Sequence, residues 1–238
     1  MNEDRSLLPQ LATRSNAVIR SVEWFFEPCW RGDRLMARVE GGRLSLTNGR
    51  GEPAPEIERE ARPVIEEALR VDDALVDGIW TNMPFVGEGS AARILADAIA
   101  EEGLTDEVPD PIANEPRHAF VALDLVELHG EKLHEVPYQE RRRVLASLFD
   151  EGNRLRISPA VRAPLHNWLI AWRATGFEHY VAKHMNSHYT PGEIAEDWLQ
   201  ISTAEARGPS PVGRLFGVRP KKVVHIEDDG EAAKPPRI

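Results

Sequence analysis

Strand-forming and helix-forming segments follow one another along this chain without a strict strand-helix-strand rhythm, and that irregularity most narrows its possible folds. Val22-Glu23-Trp24-Phe25-Phe26 is rich in β-formers and runs into Pro28, which ends a strand in a turn. Residues 35–39 and 43–46 flank Gly41-Gly42, a pair suited to a two-residue hairpin turn. From 56 to 70, Ile57, Ala61, Val64, Ile65, Ala68 and Leu69 recur at helical spacing with charges on the other face, which predicts an amphipathic helix. Residues 74–80 read as a short buried strand with a break at Asp77-Gly78. Ser90 caps a second helix through Arg93, Ile94, Ala98 and Ile99, and the Pro- and acid-rich stretch 105–117 reads as a loop. Residues 119–127 form another strand, followed by a turn through Leu128-His129-Gly130-Glu131. Pro137 opens a helix carrying Val144, Leu145 and Leu148 on its apolar face. A further helix over 164–175 stops at Gly176, and 177–183 and 197–201 are the last strands. Such a mixture predicts an α+β fold with largely antiparallel sheets.

Composition sets outer bounds. With 238 residues, 42% hydrophobic and 29% charged, the chain belongs with globular proteins and not with disordered or fibrous ones. It reads as one domain over 1–203 and a Pro-, Gly- and charge-rich tail over 204–238, poorly ordered. No apolar run approaches the ~20 residues of a membrane span, and acids stand at the N-terminus where a secretory signal carries bases. A cytoplasmic protein with no membrane partner is expected. The single cysteine, Cys29, excludes an intramolecular disulfide and a Cys-rich zinc site. The net charge of −10 argues against a dedicated nucleic-acid coat. Residues 56–110 hold fifteen acids against four arginines, a net of −11 that accounts for the whole excess. Five bases and no acid occur between Arg207 and Lys222, a segment that reads either as a solvated tail or as a phosphate contact.

Several segments in order carry a resemblance. They are Phe26-Glu27-Pro28-Cys29-Trp30-Arg31-Gly32-Asp33-Arg34, Val76-Asp77-Gly78-Ile79, Phe120-Val121-Ala122-Leu123-Asp124-Leu125 and Gly176-Phe177-Glu178-His179-Tyr180-Val181-Ala182-Lys183. Ser187-His188-Tyr189-Thr190-Pro191-Gly192 and Asp197-Trp198-Leu199-Gln200-Ile201 follow. Together, over residues 8–203, they resemble the adenylation (nucleotidyltransferase) domain of ATP-dependent DNA ligases. The resemblance implies two antiparallel sheets with flanking helices, a nucleotide held between them, ATP and Mg2+ as cofactors, and DNA or a DNA-repair protein as partner. It also implies a reaction. A lysine attacks the α-phosphate of ATP to give lysyl-AMP, AMP passes to a DNA 5′-phosphate, and the neighbouring 3′-hydroxyl displaces it. A desolvated neutral amine suits the first step.

The same resemblance exposes departures. Cys29 stands where the family has the adenylated lysine, and Arg31 where it has an acid. The chain holds five lysines, the first of them Lys132, so no neighbour substitutes. Ile79 replaces an acid that touches ribose or metal, Leu123 an aromatic that stacks on adenine, Leu46 and Thr47 a serine and an arginine, and Gln200 and Ser202 the phosphate-binding lysines. Four positions remain as candidate nucleotide contacts. Glu27 matches the adenine-contacting acid, Arg34 the ribose and phosphate contact, Glu178 the metal-organising acid and Lys183 a lysine at a strand end. The alternative for these groups is mutual pairing, Arg34 or Lys183 with Glu27 or Glu178, inside a closed cleft. No metal ligand set is assigned, although His179, His184 and His188 lie near one another with His166 and Glu178 available. Cys29 reads as a small packed residue, the alternative being a thiolate nucleophile activated by Arg31. Trp168 and Trp172 read as core, and the Arg141-Arg142-Arg143 run as the solvated face of its helix. The about 35 residues after Ile201 are too few for the five-stranded oligonucleotide-binding barrel of active ligases. The expectation is a ligase-like domain unable to form lysyl-AMP, retained as a nucleotide- or partner-binding module in DNA repair. A minimal active ligase or nucleotidyltransferase is the alternative.

Overall fold

The computed structural model describes residues 7–83, 118–152, 154–204 and 225–226. The helix expected after Ser90 and the loop over 105–117 lie outside the described residues, as does most of 204–238.

The first half of the chain is a set of strands: β1 (Leu11–Ser15), β2 (Val18–Ile19), β3 (Trp24–Pro28), β4 (Asp33–Glu40) and β5 (Arg43–Asn48). The hairpin between β4 and β5 is the one that Gly41-Gly42 predicts. Both glycines take positive φ, at 55° and 75°, and Glu40 pairs with Arg43 across the turn, a geometry that side chains with a Cβ resist. Helix α1 (Pro55–Ala68) starts with proline in its first turn and buries Ala61, Val64, Ile65 and Ala68, the stripe that the spacing predicts. Strand β6 (Asp73–Thr81) is continuous through Asp77-Gly78 instead of breaking there, although its pairing with β7 shifts register at that point. Gly78 serves a close approach: a Cβ on it would lie 2.3 Å from Cζ of the fully buried Phe120.

The second half adds β7 (Ala119–Leu128), β8 (Glu131–Lys132), α2 (Tyr138–Leu145), β9 (Leu155–Ile157), α3 (His166–Ala174), β10 (His179–His184), β11 (Ile194–Ser202) and β12 (His225–Ile226). Two main sheets result. One has the order β1-β11-β10-β3; the other has β5-β4-β6-β7-β8, with β9 also on β7. Their ladders are antiparallel except where β1 joins β11 and β9 joins β7 in parallel. β12 pairs in parallel with β2. The architecture is therefore α+β, two sheets with three helices among the described residues.

Each sheet has its own core. Leu35, Leu44, Leu46, Val76, Phe120 and Leu125 pack with Ala61 and Ile65 of α1. Phe26, Trp30, Tyr180, Ala182 and Ile201 pack with Ala171 and Trp172 of α3, where Trp168 also rests, so this tryptophan pair belongs to the core. Ile79, Val121 and Leu123 come from the second sheet into that cluster and bring the two sheets together. No helix among the described residues is long and apolar enough to cross a membrane.

The Arg141-Arg142-Arg143 run corrects the solvated-face reading. Arg143 is exposed, but Arg141 is fully buried, its guanidinium bidentate on the equally buried Asp124 of β7 at 2.9 Å for both contacts. Arg142 is half-buried and donates to the Ser158 carbonyl at 2.7 Å. The fixed fork of arginine donors matches a carboxylate and two carbonyls that the interior supplies.

Candidate nucleotide cavity

A cavity of about 330 Å³ opens between the two sheets. β3 and its exit bring Glu27 and Cys29, β4 brings Arg34, β6 brings Ile79 and β7 brings Leu123. β10 and β11 complete the wall with Lys183 and Gln200. Positions that the sequence singles out from segments more than 170 residues apart thus converge on one space. The strand pleat explains the convergence: Glu27, Val181 and Gln200 pair in register across β3, β10 and β11 and so share a face of the sheet. Glu178 is not among the lining residues. It sits before β10 with its carboxylate 72% exposed, 3.6 Å from Nη1 of Arg31. Leu46 lies in the core behind the second sheet.

The charged groups of the wall are paired. Nζ of Lys183 lies 2.8 Å from Oε1 of Glu27, and both side chains are almost fully buried. The same ammonium donates to the Leu123 carbonyl at 3.1 Å and lies 4.2 Å from the ring centre of Trp198 and 4.7 Å from that of Tyr138. The Tyr138 hydroxyl donates to the same Glu27 oxygen; burial, with the Glu27 charge beside it, keeps this phenol neutral far above its ordinary range. Arg34 is bidentate on Asp77, with both contacts at 2.6 Å. Burial opposes the Arg34 cation, yet the Asp77 carboxylate outweighs it and raises the group above its ordinary value. Asp77 also accepts the Tyr189 hydroxyl at 2.8 Å, and the hydroxyl oxygen of Tyr189 accepts the backbone N–H of Gln10 at 3.1 Å. Mutual pairing is therefore real: Lys183 takes Glu27, one of the pairings expected, whereas Arg34 takes Asp77, and the cavity stays open beside them.

Sequence reasoning missed Tyr138, Tyr189, Trp198 and the role of Asp77. Tyr138 looks like any residue after a helix-opening proline. Tyr189 and Trp198 lie inside the matched segments, but only the fold brings them onto Asp77 and Lys183.

Cys29 is half-buried, and its sulfur accepts a long hydrogen bond, 3.7 Å, from Nε2 of Gln200. Burial pushes the thiol above its ordinary value, Arg34 pulls it back in part, and Glu27 adds to the rise. Arg31, which the thiolate alternative needs beside the sulfur, turns instead to Glu178. The cysteine is accordingly held as a neutral thiol at pH 7, where the thiolate is the reactive form. Alkylation by iodoacetamide is expected to be slower than for the unfolded chain at pH 8, with a rate midpoint above that of a free thiol. A midpoint below pH 8 would contradict the burial argument.

The histidines do not converge. His184 lies 3.6 Å from Glu23 and packs its ring edgewise on Trp24; His188 lies 3.3 Å from Glu135. Among the described residues no group of three or more His, Cys, Asp and Glu side chains is placed to hold a metal ion.

The sequence profile of the ATP dependent DNA ligase domain matches residues 9–201, a span that contains both sheets and every wall residue named above. The chain belongs to the ATP-dependent DNA ligase domain family. Among curated relatives, the DNA ligase of Thermococcus onnurineus is 23% identical over 206 residues, covering 83% of this chain and 36% of that protein. The multifunctional non-homologous end joining DNA repair protein LigD of Mycobacterium tuberculosis is 24% identical over 196 residues, covering 82% of this chain and 24% of that protein. This ligase domain thus spans between about a quarter and about a third of the length of those relatives. In three dimensions it resembles mycobacterial DNA ligase D, solved in complex with ATP and MES, with a TM-score of 0.59 at 22% identity over 84% of this chain and 61% of the other. That likeness shows the ligase adenylation-domain fold.

Proposed function

We propose that this ligase domain holds an adenine nucleotide in the cavity between its sheets without becoming covalently adenylated, and that it serves DNA repair as a nucleotide- or partner-binding module. One observation carries the reading. Cys29, at the family's lysine position, is a desolvated thiol on the cavity wall, while the one lysine of that wall, Lys183, is committed to Glu27 and the Leu123 carbonyl. An ammonium that is paired, buried and capped by Trp198 lacks the free electron pair that attack on an α-phosphate requires. The surrounding substitutions point the same way. Ile79, Leu123 and Gln200 all line the cavity, so the acid, the stacking ring and one phosphate-binding lysine are replaced at the wall itself. Catalysis of phosphoryl transfer rests on electrostatic stabilisation and positioning, and this wall offers little of either.

The residues suit the nucleoside part of ATP better than its cation. Apolar Ile79, Leu123 and Val181 face the space together with the Glu27 carboxylate, and a structural relative was solved with ATP. For Mg2+ the fit fails: the family's acid is Ile79, and Glu178 turns to Arg31 away from the wall. DNA, or a protein that acts on it, is the partner that the family suggests, with 1–203 as the working unit and 204–238 as an appended tail.

Calorimetric titration with ATP is expected to give weak binding, about −4 to −6 kcal/mol, in the millimolar to high-micromolar range, because no aromatic stacks at Leu123. Ile194 lines the mouth and is 66% exposed, so Ile194→Glu places a carboxylate there without disturbing the core and should weaken ATP binding severalfold. Absence of heat and of any thermal shift at saturating ATP would overturn the nucleotide reading and leave partner binding alone.

A further inference from the structure

Among the described residues the cavity wall has two cations, and both are paired with carboxylates. Arg34 is forked on Asp77 and Lys183 is paired with Glu27, so the charge of each is already balanced by a carboxylate. One strand further out stands a third. In the parallel ladder of β1 and β11, Arg14 pairs in register with Gln200, and Gln200 pairs with Val181, which pairs with Glu27. Side chains in register share a sheet face, on strands about 4.8 Å apart. The row Glu27, Val181, Gln200, Arg14 therefore crosses the whole sheet on the cavity side. Trp198 and Gln200, alternate residues of β11, both line the cavity and fix that facing. Arg14 is exposed, and among the described residues its side chain has no ion pair or hydrogen bond. Gln200 contacts Cys29, so the row leads from Arg14 to the position at which the family's reaction takes place.

The geometry points to Arg14 as the anion contact of this cavity, the residue that holds the phosphate chain of a bound nucleotide and makes the site prefer nucleotides to nucleosides. A guanidinium on the strand beside Gln200, on the same sheet face, supplies positive charge in the row that leads to Cys29, where the family's lysine is missing. Its fork geometry suits phosphate oxygens, and its freedom from other partners leaves that geometry available. The inference rests on the nucleotide reading of the cavity.

Calorimetric titrations of adenosine, AMP and ATP into the wild-type chain, Arg14→Gln and Arg14→Lys test it. The wild type should bind ATP more tightly than adenosine, and Arg14→Gln should weaken ATP by about fivefold, the scale of an exposed charge contact, while leaving adenosine unchanged. Arg14→Lys should keep part of the preference, and 0.5 M salt should erase it through screening. Equal affinities for adenosine and ATP, or an Arg14→Gln titration that matches the wild type for ATP, would overturn the assignment while the nucleotide reading stands. Failure of all three compounds to bind would overturn both.

Discussion

Replacing Arg141 with leucine is expected to lower the stability of the domain by about 3–5 kcal/mol. Arg141 and Asp124 are both fully buried and joined by two hydrogen bonds of 2.9 Å. Arg141 also donates to the carbonyls of Val136 and Ser187. The substitution strands a carboxylate in the interior and takes one donor each from the carbonyls of Val136 and Ser187, so the cost is mainly the desolvation of the carboxylate left behind and not merely the lost attraction. Arg143→Leu, two residues on, is the matched control: its side chain is exposed and, among the described residues, pairs with Glu140 alone, on the same helix, so a change within about 0.5 kcal/mol is expected. Urea unfolding of both variants decides, read as a shift in midpoint with unchanged slope. Equal shifts for the two would mean that the buried pair contributes no more than a surface one. The pair also matters to the cavity, because it fixes α2 to β7 and to the segment before β11, and α2 carries the Tyr138 hydroxyl that holds Glu27.

Local features of the fold were legible where short-range spacing governs them. The buried stripe of α1 and the Gly41-Gly42 hairpin follow from the helical period and from positive φ. The parallel addition of β1 to β11 was not legible, since it joins Leu11 to Ile194 with no local signal. The arginine run misled for a related reason: a helical period assigns charge to the solvent side unless a buried partner is known, and Asp124 lies on a different element. In the site, order and spacing of segments brought Glu27, Cys29, Arg34 and Lys183 to one wall, whereas Glu178 fell outside it. Arg34 finds Asp77 because Arg34 pairs in register with Ile79, which makes Asp77, two residues away on the same face, its diagonal neighbour. Such partners follow from register, which a single sequence leaves open.

Restoring the lysine alone is expected to leave nick sealing by Cys29→Lys at the level of the wild-type chain. The introduced amine would share the cavity wall with Gln200 and Ile79, neither of which supplies the charge that the proposed reading finds missing. Groups that act as a unit give no proportional return when one is replaced, and a lysine beside Arg34 in a partly buried site gains a like-charged neighbour without a partner of its own. Efficient sealing by this single variant would show that Gln200, Ile79 and Leu123 do not occupy the roles assigned to them.

The most direct measurement is the intact mass of the wild-type chain after incubation with ATP and Mg2+, followed by removal of unbound nucleotide. The account predicts a mass unchanged from the untreated protein, with Cys29 still titrating as one free thiol. A stable increase of one adenylyl group, on Lys183 or on any other residue, would contradict it.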